Sequence, residues 1–304
     1  MSAVLQPLKF QVGARTLWSI PRRLIRVPLS LADVLEPRAI ALPQFDDGAD
    51  GILVTSLPEA RMASVTAQAA GLIAFVRQRY TRYYADLNGG FEGYLAGMSA
   101  NTRSGLKRKA KKLAAQSGGS LNVRAYRTPD ELAAFHALAR PLSALTYQES
   151  LLGAGLPDTP AFVQSMLAMA AADRVRAWLL FIDGRAVAYL YCPAEGDTLR
   201  YEYLGHDPEV GHLSVGSVLQ LEAMRSLFAE GRFARFDFTE GEGQHKRQFA
   251  TGGVACVDLM LLRSTLANRA AIAALAGFDR TMAAAKRATK RLRAEALVRR
   301  LRRR

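Results

Sequence analysis

From Val175 to Cys192 the apolar positions form two runs, VRAWLLFI and RAVAYLYC, separated by Asp183-Gly184. A two-residue Asp-Gly break between apolar runs predicts a β-hairpin. A second turn at EGDT leads into LRYEYLGH, a third strand. Val218, Leu221, Met224 and Phe228 then recur at helical spacing over about 215 to 230, up to Gly231. FARFDFT and VACVDLMLL are two further strands, with a short helical or loop segment between them. The order is antiparallel hairpins leading into one parallel strand–helix–strand crossover, which should be right-handed.

The N-terminal part is patterned differently. Residues 8 to 57 read as strands punctuated by Pro21, Pro28, Pro37 and Pro43. Over 59 to 79, Met62, Val65, Ala69, Leu72, Ile73 and Val76 fit a helix, and RYYADL follows as a short strand. FEGYLAGM and SANTRSGLKRKAKKLAAQ predict two helices, the second opening at Ser99 and closed by the glycines of SGGS. LNVRAYR is a strand. A Thr-capped helix enters through Pro129 and is interrupted at Pro141, and PAFVQSMLAMAAAD is another helix. These elements predict an α/β protein with a mixed sheet. Both halves run strands, helix, strand, which allows a loose duplication.

A chain of 304 residues, half of them apolar, can bury a sizeable core. No window approaches the roughly 20 apolar residues of a membrane span. The start, MSAVLQPLKF, lacks the layout of a secretory signal, and Cys192 and Cys256 sit in strand-like runs outside any metal or redox motif. The expectation is therefore a cytoplasmic protein with buried reduced thiols. The formal charge is +14, yet residues 280 to 304 hold eleven Lys/Arg against one acid, Glu295. The tail's +10 leaves about +4 for the other 279 residues. With no aromatic for base stacking, specific nucleic-acid recognition is not expected. The tail reads as a solvated helix or as a contact with anionic lipid, which places the protein at the inner face of the membrane.

The helix that opens at Ser214-Val215-Gly216-Ser217 raises a chemical question. Helix N-termini present unpaired N–H groups and partial positive charge, and acidic residues usually answer them. Here no Asp or Glu occurs from Val210 until Glu222. Gly211, Gly216 and the small Ser214 and Ser217 would admit a phosphate close to the backbone. A serine-hydrolase elbow is excluded by register, since the run from Gly211 to Gly216 is G-x-x-S-x-G. EGEGQHKRQ is not a dinucleotide fingerprint, because Lys246 stands where the third glycine is required. His136, His206, His212 and His245 show no ligand spacing, and no metal is expected.

Four stretches together carry a resemblance: the basic helix MSANTRSGLKRKAKKL, LSALTYQESLLGAGLP, the helix start after YEYLGHDP, and FDFTEGEGQHKRQFAT. From about Leu53 to Arg263 the chain resembles the GNAT-type acetyltransferases of the CelD-like group, linked to cellulose and exopolysaccharide biosynthesis, and more distantly the FemAB-type acyltransferases. That group often shows Ser-Pro-Gly where this chain has Ser214-Val215-Gly216. The resemblance implies a GNAT-like mixed sheet flanked by helices, as two related lobes in tandem. Residues 1–150 would form the N-terminal lobe, 151–265 the acyl-CoA-binding lobe, and 266–304 the basic helical tail.

The resemblance also implies an N-acyltransferase using acetyl-CoA or another acyl-CoA, with the diphosphate on the amides of Gly211, Leu213, Ser214, Val215, Gly216 and Ser217. The acceptor would be a small-molecule or glycan-linked amine, such as an amino sugar of envelope metabolism. On a regular LRYEYLGH strand, Tyr201 and Tyr203 share one face and Arg200 and Glu202 the other. Glu202 could deprotonate the amine and Tyr203 or Tyr201 protonate the leaving thiolate, or Glu202 could simply pair with Arg200 and the tyrosines be core. Asp237 and Glu240 are rival bases. Lys246 would pair with Asp237 or Glu240 and order its loop, or serve the acceptor. Tyr147 would line the acceptor pocket, and Arg103, Lys107 and Lys111 form a basic face suited to an anionic acceptor. Two alternatives stay open: a FemAB-type transferase fed by aminoacyl-tRNA, and a non-catalytic GNAT-like scaffold held at the membrane by its tail.

Overall fold

The structure, a computed structural model, describes residues 3–12, 15–44, 48–146, 155–241 and 243–301. Its strands and helices in chain order are β1 (Val4–Leu5), β2 (Leu8–Val12), β3 (Arg15–Ile20), β4 (Arg23–Pro28), α1 (Leu31–Leu35), β5 (Gly51–Pro58), α2 (Met62–Gln68) and β6 (Leu72–Asp86). There follow α3 (Phe91–Gly97), α4 (Ala100–Ala115), β7 (Asn122–Tyr126), α5 (Pro129–Ala144) and α6 (Pro160–Ala171). The remainder is β8 (Val175–Ile182), β9 (Arg185–Glu195), β10 (Thr198–Arg200), β11 (Tyr203–His206), α7 (Val215–Glu230), β12 (Arg235–Asp237), α8 (Gln244–Phe249), β13 (Gly252–Arg263) and α9 (Leu266–Leu301). The chain divides into two compact units, Met1–Arg79 with Cys256–Arg304, and Tyr80–Ala255.

In the first unit β4 and β5 run parallel across α1, which Ser30 and Asp33 close with a reciprocal capping box. β1 pairs antiparallel with β4 and β13 with β5, and β2 and β3 form a separate hairpin. Its core gathers Leu8, Phe10, Leu24, Leu53, Met260 and Leu262 under Ala271 and Leu275 of α9.

The second unit carries the predicted topology. β7, β8, β9 and β10 are successively antiparallel neighbours, and β10 is parallel to β12 across α7. Asp183 and Gly184 both adopt positive φ at the hairpin tip, the conformation that a two-residue turn of this kind requires. The apolar runs are continuous because both faces of the sheet are covered. Trp178, Leu180, Leu190 and Cys192 pack beneath α4 and α7, with Leu106, Leu113 and Val218. Ala177, Leu179, Tyr189 and Tyr191 face α5 and α6, with Phe135, Ala139 and Met166.

Two expectations fail locally. The helix read over 59 to 79 stops at Gln68, and β6 begins at Leu72. Gly71 takes φ +89°, which ends the helix, and the following run is rich in aromatic and β-branched residues that suit a strand. Leu72, Ile73 and Val76 matched the helical period only because strand and helix patterns coincide over a few positions. α5 also continues through Pro141 to Ala144, since burial of Ala139, Leu142 and Ser143 holds its last turn in place. Ser99 caps α4, Gly118 and Gly119 follow it with positive φ, and Gly231 ends α7 in the left-handed conformation, as the sequence predicts.

Candidate active site

The site begins with an irregularity in the third strand. Leu199 lies opposite Ala194, and Tyr203 opposite Tyr191, so four steps on one strand span three on β9. Glu202 is the extra residue, and its N–H donates to the Tyr191 carbonyl at 3.3 Å. This β-bulge inverts the phase of everything beyond it. Tyr201 therefore packs with Phe236, Phe238 and His245 on the α7 side of the sheet, whereas Tyr203 packs with Phe162 and Tyr191 on the α6 side. The expectation that the two tyrosines share a face is corrected by that single inserted residue.

At the same place the sheet forks. β10 pairs with β12 only from Thr198–Arg235 to Arg200–Asp237, and β11 continues on β9 alone. The vertex is fastened by Tyr201 N–H to the Asp237 carbonyl at 2.8 Å, and by Thr239 Oγ1 to the Tyr201 carbonyl at 3.3 Å. Asp207 N–H donates to the Val187 carbonyl at 2.9 Å, so residues 203, 205 and 207 make the ladder bonds. Leu204 and His206 consequently turn their N–H and C=O groups towards the open side. Gly205 lies so near Tyr189 and Thr146 that any side chain there would overlap them.

Beyond β11 a 3-10 turn, Pro208–Leu213, leads to Ser214, which is left-handed (φ 58°) and starts α7. The Ser214 hydroxyl makes no cap, and no acid stands in the first turn. Asp207, a buried carboxylate at the start of that turn, is engaged by Arg185 and by the Glu209 N–H. Two of the amides expected at an anion are already used, Ser214 N–H by the Gly211 carbonyl and Ser217 N–H by the Ser214 carbonyl, each at 3.0 Å. Val215 and Gly216 keep first-turn amides without an intrahelical acceptor. Leu213 and Val215 bury their side chains in the core and offer backbone only.

Fork and helix start enclose a cavity of about 790 Å³. Of the residues singled out in the sequence as site candidates, Gly211, Ser214, Gly216, Ser217, Tyr201, Glu202, Tyr203 and Lys246 line it. Asp237 does not. It is fully buried, with its carboxylate held by Arg82 (2.6 and 3.2 Å) and by the Thr239 N–H (2.8 Å), which leaves it a clamp rather than a base. Arg103 is likewise committed, donating to the carbonyls of Leu95, Ala96 and Met98 at the end of α3. Lys107 is exposed on α4, and Tyr147 lies outside the described residues.

Glu202 Oε2 is 3.1 Å from Arg200, in a half-exposed pair that still reaches the cavity. Burial raises the phenol pKa of Tyr201, and burial together with Glu202 raises that of Tyr203, so both keep their protons at neutral pH. Lys246 donates to the main-chain carbonyl of Glu240 rather than to either expected carboxylate. Burial holds its ammonium pKa below the ordinary value, against the pull of Asp237 and Glu240. The unfolded chain then binds the extra proton between the lowered folded pKa and the ordinary value of about 10.4, and stability rises with pH across that window. We expect Lys246→Met to remove this alkaline gain, read as a melting temperature that climbs less between pH 7 and pH 10 than in the wild type. Equal slopes would contradict it.

The cavity also holds residues that sequence reasoning passed over. The His206 ring lines the cavity beside Gly211 and Gly216, with Nδ1 3.1 Å from the Asp207 carbonyl. His245, its pKa lowered by burial and by Lys246, and Thr239 complete the wall near the fork. Gln220 is 4% exposed, lines the cavity and has, among the described residues, no hydrogen-bond partner for either amide atom. Helical spacing from Gly216 could have flagged Gln220; nothing local flags the histidines. Among the described residues, no group of His, Cys, Asp and Glu is placed to hold a metal ion, and no helix is long and apolar enough to cross a membrane.

Residues 100–247 match the family model described as an acetyltransferase (GNAT) domain. Among solved structures, a C-terminal domain from Agrobacterium fabrum assigned to a lysylphosphatidylglycerol synthetase is similar at 14% identity and TM-score 0.51, over 75% of this chain and 71% of that one. FemX is similar at 9% identity and TM-score 0.49, over 86% and 88% of the two chains. A GCN5-related N-acetyltransferase from Kribbella flavida shares 14% identity over 72% and 71%, with TM-score 0.39. No curated protein matches the chain. The fold is GNAT-like, and the domain match over residues 100–247 supports an acyltransferase.

Proposed function

We propose that the protein is an acyl-CoA-dependent N-acyltransferase, with acetyl-CoA as donor and an amine of an amino-sugar or glycan precursor in envelope or exopolysaccharide metabolism as acceptor. The observation that carries this reading is the fork: β10 and β12 part beside the bulge, and the edge of β11 so released faces an uncapped, acid-free helix start across one cavity. The residues present fit such a donor. The amides of Val215 and Gly216, with the hydroxyls of Ser214 and Ser217, would take the diphosphate. The edge groups of Leu204 and His206 would take the amides of the arm. When bound, the donor supplies a thioester carbonyl open to attack by an amine.

The chain's own groups then divide the remaining work. An edge N–H of β11 stabilises developing negative charge on an acyl oxygen. Glu202 accepts the amine proton, directly or through water, and the phenol of Tyr201 or Tyr203 holds the proton that a departing thiolate requires. The basic face of α4 suits an anionic acceptor such as a sugar phosphate. Lys107, Arg108, Lys111 and Lys112 form no ion pair with another described residue, and α4 contains no acid.

Thiol release from acetyl-CoA, followed across a panel of amino sugars and their phosphates, tests the reading. Acceptor-dependent release, weakened by Glu202→Gln, supports it. Acylation only from charged tRNA would replace it with the aminoacyl-tRNA alternative, and binding of no acyl donor would leave a scaffold. The eleven cations of 280–304 suit contact with an anionic membrane surface, and we propose that the tail makes it. Removing those residues is expected to abolish sedimentation with phosphatidylglycerol vesicles, and unchanged sedimentation would exclude that contact.

A further inference from the structure

A buried primary amide without partners is a costly arrangement for a protein to keep. Both the donor and the acceptor of Gln220 are withdrawn from solvent, and neither is returned to any described group. An apolar side chain in that place would avoid the penalty. The neighbours on α7, Leu219, Leu221, Ala223 and Met224, are apolar core residues. Gln220 differs from them in lining the cavity. It stands four residues after Gly216, hence on the same helix face and about 6 Å further along the axis.

We propose that Gln220 is a specificity residue that reads the polar arm of the donor immediately beyond its diphosphate. This rests on the acyl-CoA reading above. An arm bearing a hydroxyl and secondary amides offers both a donor and an acceptor, the complement of a primary amide. The first such groups of a phosphopantetheine arm lie only a few bonds from the phosphate, which matches the one-turn spacing from Gly216 to Gln220. The Gln220 amide finds no partner among the described residues, the arm supplies one, and discrimination comes from that contact. A ligand with the nucleotide half but no arm gains nothing at Gln220.

Isothermal titration of the full chain with acetyl-CoA and with 3′-phosphoadenosine 5′-diphosphate, the half lacking the arm, tests this. Gln220→Met, which keeps the length, and Gln220→Leu are compared with the wild type. Either variant is expected to weaken acetyl-CoA about tenfold and leave the nucleotide half within about twofold. Both variants should also melt about 2 °C higher without ligand, because the orphaned amide is gone. Unweakened acetyl-CoA binding, or equal weakening of both ligands, would overturn the role of Gln220 while leaving the donor reading intact. Failure of the wild type to bind either ligand would overturn both.

Discussion

Asp237→Ala should be strongly destabilising, at about 3–5 kcal/mol. The carboxylate is fully buried and accepts from Arg82 twice and from the Thr239 N–H. Arg82 is itself only 5% exposed, so removing the carboxylate takes a charged partner from a guanidinium that water barely reaches. Losing a carboxylate from beside a buried charge sets the size of the effect. The loss corresponds to a fall in melting temperature on the order of 10 °C. Asp237→Asn keeps an acceptor for the Thr239 N–H and should lose less. The double variant Arg82→Met with Asp237→Leu should lose less than the sum of its single changes, since neither position then carries a buried charge. A fall below about 1 kcal/mol for Asp237→Ala would show that the clamp does not hold the fork.

Gly216→Trp should abolish the thermal shift given by acetyl-CoA, with affinity reduced at least about 100-fold, or roughly 2.7 kcal/mol. A Cβ at Gly216 would sit 3.6 Å from His206 Cδ2 and 3.8 Å from Leu204 Cδ2, in ordinary contact. A methyl group is therefore accommodated, while an indole fills the hollow between the helix start and β11. Gly216→Ala separates the two effects. It should fold as well as the wild type or better, since alanine favours the helix by up to about 1 kcal/mol, and it should keep most of the shift. A full acetyl-CoA shift in a folded Gly216→Trp protein would move the donor away from this helix start.

The elements around the site were legible because their signals are local. The Asp-Gly turn, the helix from Val215 to Gly231 and the missing acid at its start are each written in a few adjacent residues. The bulge at Glu202 was not legible. An alternating run such as LRYEYLGH looks the same whether or not its partner strand is one residue short, so the tyrosines were assigned to one face. The commitments of Asp237 to Arg82 and of Arg103 to the carbonyls of α3 were hidden for a related reason. Charge in a sequence advertises reactivity and structural pairing alike, and only the partner, 155 residues away for Asp237, tells them apart. Gln220 shows the reverse case, a residue of unremarkable type whose lack of partners among the described residues is visible only in three dimensions.

The reading stands or falls on whether a thioester-bearing coenzyme enters the fork. Isothermal titration of acetyl-CoA into the full chain measures that directly. The account predicts one saturable site per chain, filled below about 1 mM and lost in Gly216→Trp. The absence of any saturable heat up to that concentration, from protein shown to be folded, would contradict it.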